Sequence, residues 1–65
     1  MSNLSKMNMQ FKLWRISHGV RLVQVAEYCK TTPASISRWE NGKMNLNESY
    51  IKSYQRFIED FEKGV

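Results

Sequence analysis

The chain has 65 residues, a formal net charge of +4 and a single cysteine. Its length allows one domain, and a domain of this size buries only about 60% of the surface of its unfolded chain. One cysteine excludes an internal disulfide, and without a cluster of Cys and His residues we expect no structural metal, so tight helix packing or dimerisation must supply the stability.

The first predicted helix runs from Ser5 to about His18, and Gly19 follows as a typical helix stop. Its apolar residues form two interleaved rows: Met7, Phe11 and Trp14, and Met9, Leu13 and Ile16. Because one core cannot face both rows, part of this surface is expected to lie outside it. For Trp14 two alternatives remain, namely burial against the last helix or docking of a second protein or a second copy.

The second helix is predicted from about Arg21 to Cys29, with an inner stripe of Leu22, Val25, Ala26 and Cys29. Only Lys30 and Thr31 separate it from the third helix. A turn this short predicts two helices that cross roughly at right angles.

The third helix is predicted over residues 33–41 of the segment TTPASISRWENGK. Thr32 is a good N-cap, and Pro33 at the first helical position loses no needed hydrogen bond. On a helical wheel one side is apolar or charged, with Ile36, Trp39 and Glu40. The opposite side is small, polar and basic: Pro33, Ala34, Ser37, Arg38 and Asn41. Such a face suits a helix that enters the major groove of DNA, although Arg38 as a merely solvated residue is the alternative.

The fourth helix is predicted over about 47–62, with a continuous apolar stripe of Tyr50, Ile51, Tyr54, Phe57, Ile58 and Phe61. Asn45 and Glu48 have the spacing of a capping box, and Asn47 is the rival cap. The stripe predicts that this helix closes the core.

The positive charge is unevenly distributed along the chain. Residues 1–43 carry a balance of +5, whereas residues 44–65 carry −1. A basic body suits a polyanionic partner, but composition alone does not distinguish this from an ordinary soluble surface. The sequence shows neither an apolar signal segment nor a membrane-length apolar run, so we expect a cytoplasmic protein. If its polyanionic partner is DNA, it associates with the nucleoid when bound.

The span from about Phe11 to Lys43 resembles the helix-turn-helix of the Cro and lambda-repressor (Xre-like) regulators. The resemblance is most specific in SISRWENGK and extends to Arg15, Gly19 and Val25-Ala26. It implies an all-α, compact bundle of four helices with the helix-turn-helix at helices two and three, about 21–42, in a single domain of residues 1–65.

The resemblance also implies roles for individual residues. The expected base-reading residues are Thr32, Pro33, Ala34, Ser37 and Arg38. The expected phosphate contacts are Arg21, Ser35, Asn41 and Lys43, and the expected structural ion pair is Arg15 with Glu40. Two departures stand out. Leu22 replaces a residue that is usually polar, and Lys30 replaces a common glycine, at a cost of about 1 kcal/mol if its φ is positive.

The leading hypothesis is therefore a small phage or bacterial transcriptional repressor that binds duplex DNA as a homodimer. The alternative is a protein-binding module on the same scaffold, an antirepressor or inhibitor. It is favoured by apolar residues in place of polar readers and by surplus aromatics: Leu22, Pro33 and Ala34, and Trp14, Tyr28 and Tyr50. No arrangement of side chains for nucleophilic or metal chemistry is recognisable, so an enzyme, a metal or a cofactor is not expected.

Overall fold

The computed structural model describes residues 3–64, with side chains from Met7 onward. This part of the chain consists of four helices and contains no strand: α1 (Asn3–Ser17), α2 (Leu22–Cys29), α3 (Pro33–Glu40) and α4 (Glu48–Glu62). The prediction of an all-α bundle with a helix-turn-helix at α2 and α3 is confirmed. The predicted boundaries differ from the observed ones by at most two residues.

Local signals in the sequence account for most helix ends. Gly19 follows α1 and Gly42 follows α3, both with positive φ, at +66° and +71°. Lys30 after α2 has the same left-handed conformation, with φ of +62°. Because Lys30 has a Cβ, unlike glycine, this backbone conformation is strained. At the start of α3, the Thr32 Oγ1 accepts a hydrogen bond of 3.2 Å from the backbone NH of Ser35. These short-range contacts explain why the boundaries are readable from sequence.

The start of α4 differs from the capping-box prediction. Asn47, not Asn45, is the N-cap, and its side chain makes no capping hydrogen bond. The backbone carbonyl of Asn47 accepts from the NH groups of Tyr50 and Ile51, at 2.9 and 3.2 Å. The proposed capping box of Asn45 and Glu48 is therefore wrong. The helix begins after Asn47 because the apolar stripe of α4 packs on the core from that point onward.

The core lies between α2, α3 and α4, with α1 laid against α3. α2 contributes Val25, Ala26 and Cys29, all 3% exposed or less. α3 contributes Ile36 and Trp39, and the remaining buried apolar residues are Val20 and Tyr54. Burial in this core also raises the pKa of the Cys29 thiol through desolvation. The prediction that Cys29 packs as a small apolar residue is confirmed.

The two apolar rows of α1 have different environments. Phe11 and Trp14 of the first row are half-buried and pack against the core. The second row, Met9, Leu13 and Ile16, remains more than half exposed in each case. The expectation that part of α1 lies outside the monomer core is confirmed, and the exposed part is the second row.

Candidate functional site

The third helix presents one face outward and one face to the core. Ile36, Trp39 and Glu40 are buried, whereas Pro33, Ala34 and Arg38 are exposed and Ser37 is half-buried. No acidic residue occurs between Glu27 and Glu40, and Glu40 is only 4% exposed. The outward face of α3 therefore carries an exposed guanidinium with no carboxylate on the same helix surface.

An ion pair between Arg15 of α1 and Glu40 lies beneath this face. The Arg15 Nε donates to Oε2 of Glu40 at 2.9 Å, and Nη2 donates to Oε1 at 3.0 Å. The third nitrogen, Nη1, donates to the carbonyl of Val20 at 3.0 Å. The hydrogen bonds to Glu40 raise the pKa of Arg15, against the lowering effect of burial. A bidentate pair of this kind fixes the orientation of both helices as well as their charge.

Tyr54 of α4 is a third partner in this network, and sequence reasoning assigned it only to the apolar stripe. Its hydroxyl donates to Oε2 of Glu40 at 2.5 Å. The ring is fully buried, between Phe11 and Trp39. Burial and the bond to Glu40 raise the pKa of Tyr54. A tyrosine among phenylalanines and isoleucines was the available signal, because a buried hydroxyl requires a partner.

Three polar residues of α1 hold the C-terminal end of α3. Besides Arg15, the Asn8 Nδ2 donates to the carbonyl of Trp39 at 2.7 Å. The Lys12 Nζ donates to Oδ1 of Asn41, also at 2.7 Å. Residues 8, 12 and 15 recur at i, i+4 and i+7, so they share one face of the helix. Arg15 was expected from the family resemblance, but sequence reasoning followed the apolar rows of α1 and missed Asn8 and Lys12.

The polar side chains at the N-terminal end of α3 are bonded to each other. Thr32 Oγ1 accepts from the NH of Ser35 and donates to the hydroxyl of Ser35 at 2.9 Å. Thr32 remains exposed, and Ser35 is half-buried. The Thr32 hydroxyl is thus occupied by capping, which leaves its methyl group as the part available for outside contact.

The predicted phosphate contacts lie at the edges of the α3 face. Arg21 is exposed at the N-cap of α2, where Gln24 Oε1 accepts from its backbone NH at 2.8 Å. Lys43 is exposed directly after α3, and its NH donates to the carbonyl of Arg38 at 2.8 Å. Asn41 Nδ2 donates to the carbonyl of Ser37 at 2.8 Å. The structure therefore places exposed cations before and after Arg38 along the chain, each on a backbone segment whose NH group is hydrogen-bonded.

Trp14 is not the free surface residue that one alternative required. Its ring packs edge-to-face against Phe61, with centroids 5.4 Å apart, and stacks on His18 at 4.4 Å. Its Nε1 donates to the carboxylate of Glu62 at 3.1 Å. The structure thus shows Trp14 packed against the last helix. Trp14 therefore no longer supports the alternative in which it docks a second protein or a second copy.

The described residues contain no group of three or more His, Cys, Asp or Glu side chains arranged to hold a metal ion. Among the helices described, none combines the length and apolarity needed to cross a membrane.

Comparison with known proteins gives one result. A family model described as Helix-turn-helix matches residues 11–59, which include all of α2 and α3, the last seven residues of α1 and most of α4. Neither the curated proteins nor the solved structures yield a match.

Proposed function

The chain belongs to the Cro/C1-type (Xre-like) helix-turn-helix family, and on this premise we propose that it is a sequence-specific regulator of transcription that represses by occupying duplex DNA. The family is one of DNA-binding regulators. The observation that carries the proposal is the outward face of α3, which exposes Arg38, bears no acidic side chain and is held from beneath by Arg15 and Glu40.

In the proposed complex α3 enters the major groove, which is wide enough for one helix. Arg38 is the principal base-reading residue, because a guanidinium donates two parallel hydrogen bonds to O6 and N7 of guanine. Pro33, Ala34 and the methyl group of Thr32 contact thymine methyl groups, and Ser37 is a secondary polar contact. With so few polar readers, part of the specificity comes from DNA shape.

The phosphates on either side of the groove are held by residues at the edges of α3 and at the start of α2. Arg21 and Lys43 supply positive charge, and Ser35 and Asn41 supply neutral polar groups. Charged contacts of this kind release condensed counterions, so the affinity falls as salt concentration rises. Leu22, half-buried at the start of α2, makes no such polar contact.

Two copies bind as a homodimer to half-sites about one helical turn apart. Repression by occupancy requires only DNA binding, which the helix-turn-helix supplies, and the proposed source of this regulator is a phage or a bacterium. The proposed location is the cytoplasm, on the nucleoid when DNA is bound.

A salt series on random and selected duplexes tests this function. We expect steep loss of affinity with salt on both duplexes, with the selected sequence bound more tightly. Arg38→Ala should relax the sequence preference, and Lys43→Ala should lower the salt slope by about one unit while leaving the preference intact. A wild-type affinity for DNA that is negligible and independent of salt would refute the proposal.

One observation favours a second candidate function, a protein-binding module acting as an antirepressor or inhibitor. Met9, Leu13 and Ile16 form an exposed apolar row on α1, at 59%, 58% and 54% exposure. Contiguous exposed apolar surface is a common feature of protein-docking sites. This candidate replaces the first one if the chain fails to bind DNA and Leu13→Glu abolishes capture of a partner while preserving the fold.

A further inference from the structure

Lys12 occupies an unusual place for a lysine of α1. Its side chain is half-buried, and its Nζ donates to Oδ1 of Asn41, the C-cap of α3, at 2.7 Å. Lys12 and Asn41 line a shallow open recess between α1 and the end of α3, together with Met9, Glu40 and Gly42. The ammonium is therefore held at the edge of the α3 surface, 29 residues away in sequence from its partner.

The charge of Lys12 is not neutralised within the described part of the chain. Ion pairs there join only Arg15 to Glu40 and Lys52 to Glu48. Glu40 lines the same recess, but Arg15 binds both of its oxygens and Tyr54 also donates to one of them. An ammonium has three donors, and Asn41 accepts from one. Among the residues that the structure describes, two donors and the full positive charge of Lys12 thus have no partner and are available to a group outside the protein.

We infer that Lys12 is a phosphate-binding residue of the DNA interface, contributed by α1 and positioned by Asn41. This inference rests on the proposed function and adds a contact at the C-terminal end of α3. A flexible lysine loses rotamer entropy when it is fixed on a ligand. Because the hydrogen bond to Asn41 already restricts Lys12, less of that entropy is lost on binding a phosphate.

The end of α3 also explains why a cation is needed there. The C-terminus of a helix carries partial negative charge, which repels phosphate. Asn41, Gly42 and Lys43 donate their backbone NH groups to the carbonyls of Ser37, Trp39 and Arg38. These NH groups are consequently unavailable to a phosphate. Lys12 adds a second charged donor at this end, beside Lys43.

A purely structural role is the competing explanation, because Lys12 also bridges α1 and α3. The two roles differ in the salt dependence of DNA binding, which a merely structural lysine does not change. The experiment measures the affinity of the full chain for a random-sequence duplex over a salt series, with wild type, Lys12→Gln, Lys12→Arg and Lys63→Gln. Lys63 is the control of equal charge, at the C-cap of α4.

We expect Lys12→Gln to lower the salt slope by about 0.9, the value for one phosphate contact on duplex DNA, and Lys12→Arg to retain the wild-type slope. Lys63→Gln should also retain it. Urea unfolding of each variant shows whether it remains folded, so that a change of slope is read only between folded proteins.

If Lys12→Gln binds DNA with the same salt slope as the wild type, this inference is overturned and the proposed function still stands. An equal loss of slope in Lys12→Gln and Lys63→Gln would also overturn it, because the effect would then be one of total charge. Absence of salt-dependent binding by the wild-type chain would overturn the inference and the proposed function together.

Discussion

The hydroxyl of Tyr54 on α4 donates a 2.5 Å hydrogen bond to the carboxylate of Glu40 at the end of α3. The same carboxylate receives two hydrogen bonds from Arg15 of α1. Three helices thus meet at one buried charge, which sets the orientation of the outward face of α3. The stability of this network and the position of the candidate DNA-binding surface are therefore linked.

Removal of the Tyr54 hydroxyl tests how much its hydrogen bond to Glu40 contributes to the free energy of unfolding. We expect Tyr54→Phe to lower the free energy of unfolding by about 1.5–3 kcal/mol, because a buried hydrogen bond to a charged group is lost. Tyr28→Phe is the matched control. It removes a hydroxyl that donates to Asp60 at an exposed site, and its effect should be much smaller. Urea unfolding measures both, and equal losses would contradict the prediction.

Because of the same hydroxyl, we expect the free energy of unfolding to decrease at alkaline pH. Burial and the bond to Glu40 raise the pKa of Tyr54 above its ordinary value of about 10. A raised pKa in the folded state means that the folded chain binds more protons than the unfolded one. The stabilisation contributed by the Tyr54 hydroxyl is then complete below about pH 10 and is lost as the pH rises above it.

The Cys29 thiol, whose pKa is raised by burial, also lowers the stability as the pH rises, and the exposed Tyr28 adds a smaller decrease. The part due to Tyr54 is therefore the difference between wild type and Tyr54→Phe. We expect the urea midpoint of the variant to decline less steeply with pH in the alkaline range. Parallel declines for the two proteins would show that the Tyr54 hydroxyl is not the group responsible.

The Arg15–Glu40 pair should respond in a strongly non-additive way. Either Arg15→Met or Glu40→Leu leaves one buried charge without its partner, at a cost of about 3–5 kcal/mol. A loss of this size unfolds much of a domain this small. The double variant removes both charges, so we expect it to recover helix content and thermal stability relative to each single variant. Far-UV circular dichroism measures this, and strictly additive losses would argue against a coupled pair.

Lys30 is a site at which the chain can be stabilised. Its φ of +62° lies in the left-handed region that glycine adopts without strain. Lys30→Gly should raise the free energy of unfolding by about 1 kcal/mol. Lys30→Ala keeps a Cβ at that φ and removes the same charge, so it should give no such gain. If the two variants are equally stable, the charge and not the backbone conformation is the cause.

The two apolar rows of α1 should differ in their effect on stability. Trp14→Ala removes packing against Phe57 and Phe61, and we expect a loss of about 2 kcal/mol or more. Leu13→Ser alters an exposed residue and should change stability by no more than about 0.5 kcal/mol. Chemical unfolding distinguishes them. A large loss for Leu13→Ser in the monomer would show that the second row is part of the fold.

The sequence alone determined the features that depend on near neighbours along the chain. The four helices, the N-cap Thr32 and the stops at Gly19 and Gly42 are set by residues within about one helical turn. Periodicity also determined which side of α3 faces inward, since Ile36, Trp39 and Glu40 recur at helical spacing. The pairing of Arg15 with Glu40 was predicted from the family resemblance, because neighbouring residues do not indicate which distant cation pairs with a given carboxylate.

The tertiary structure determined the contacts between distant segments. It selected Asn47 over Asn45 as the cap of α4, packed Trp14 against Phe61 and left Leu13 exposed. It also joined Tyr54 to Glu40 and Lys12 to Asn41. The sequence alone is compatible with several hydrogen-bond partners for a polar side chain on an amphipathic helix. The way the helices pack determines which partner is close enough to accept its hydrogen bond.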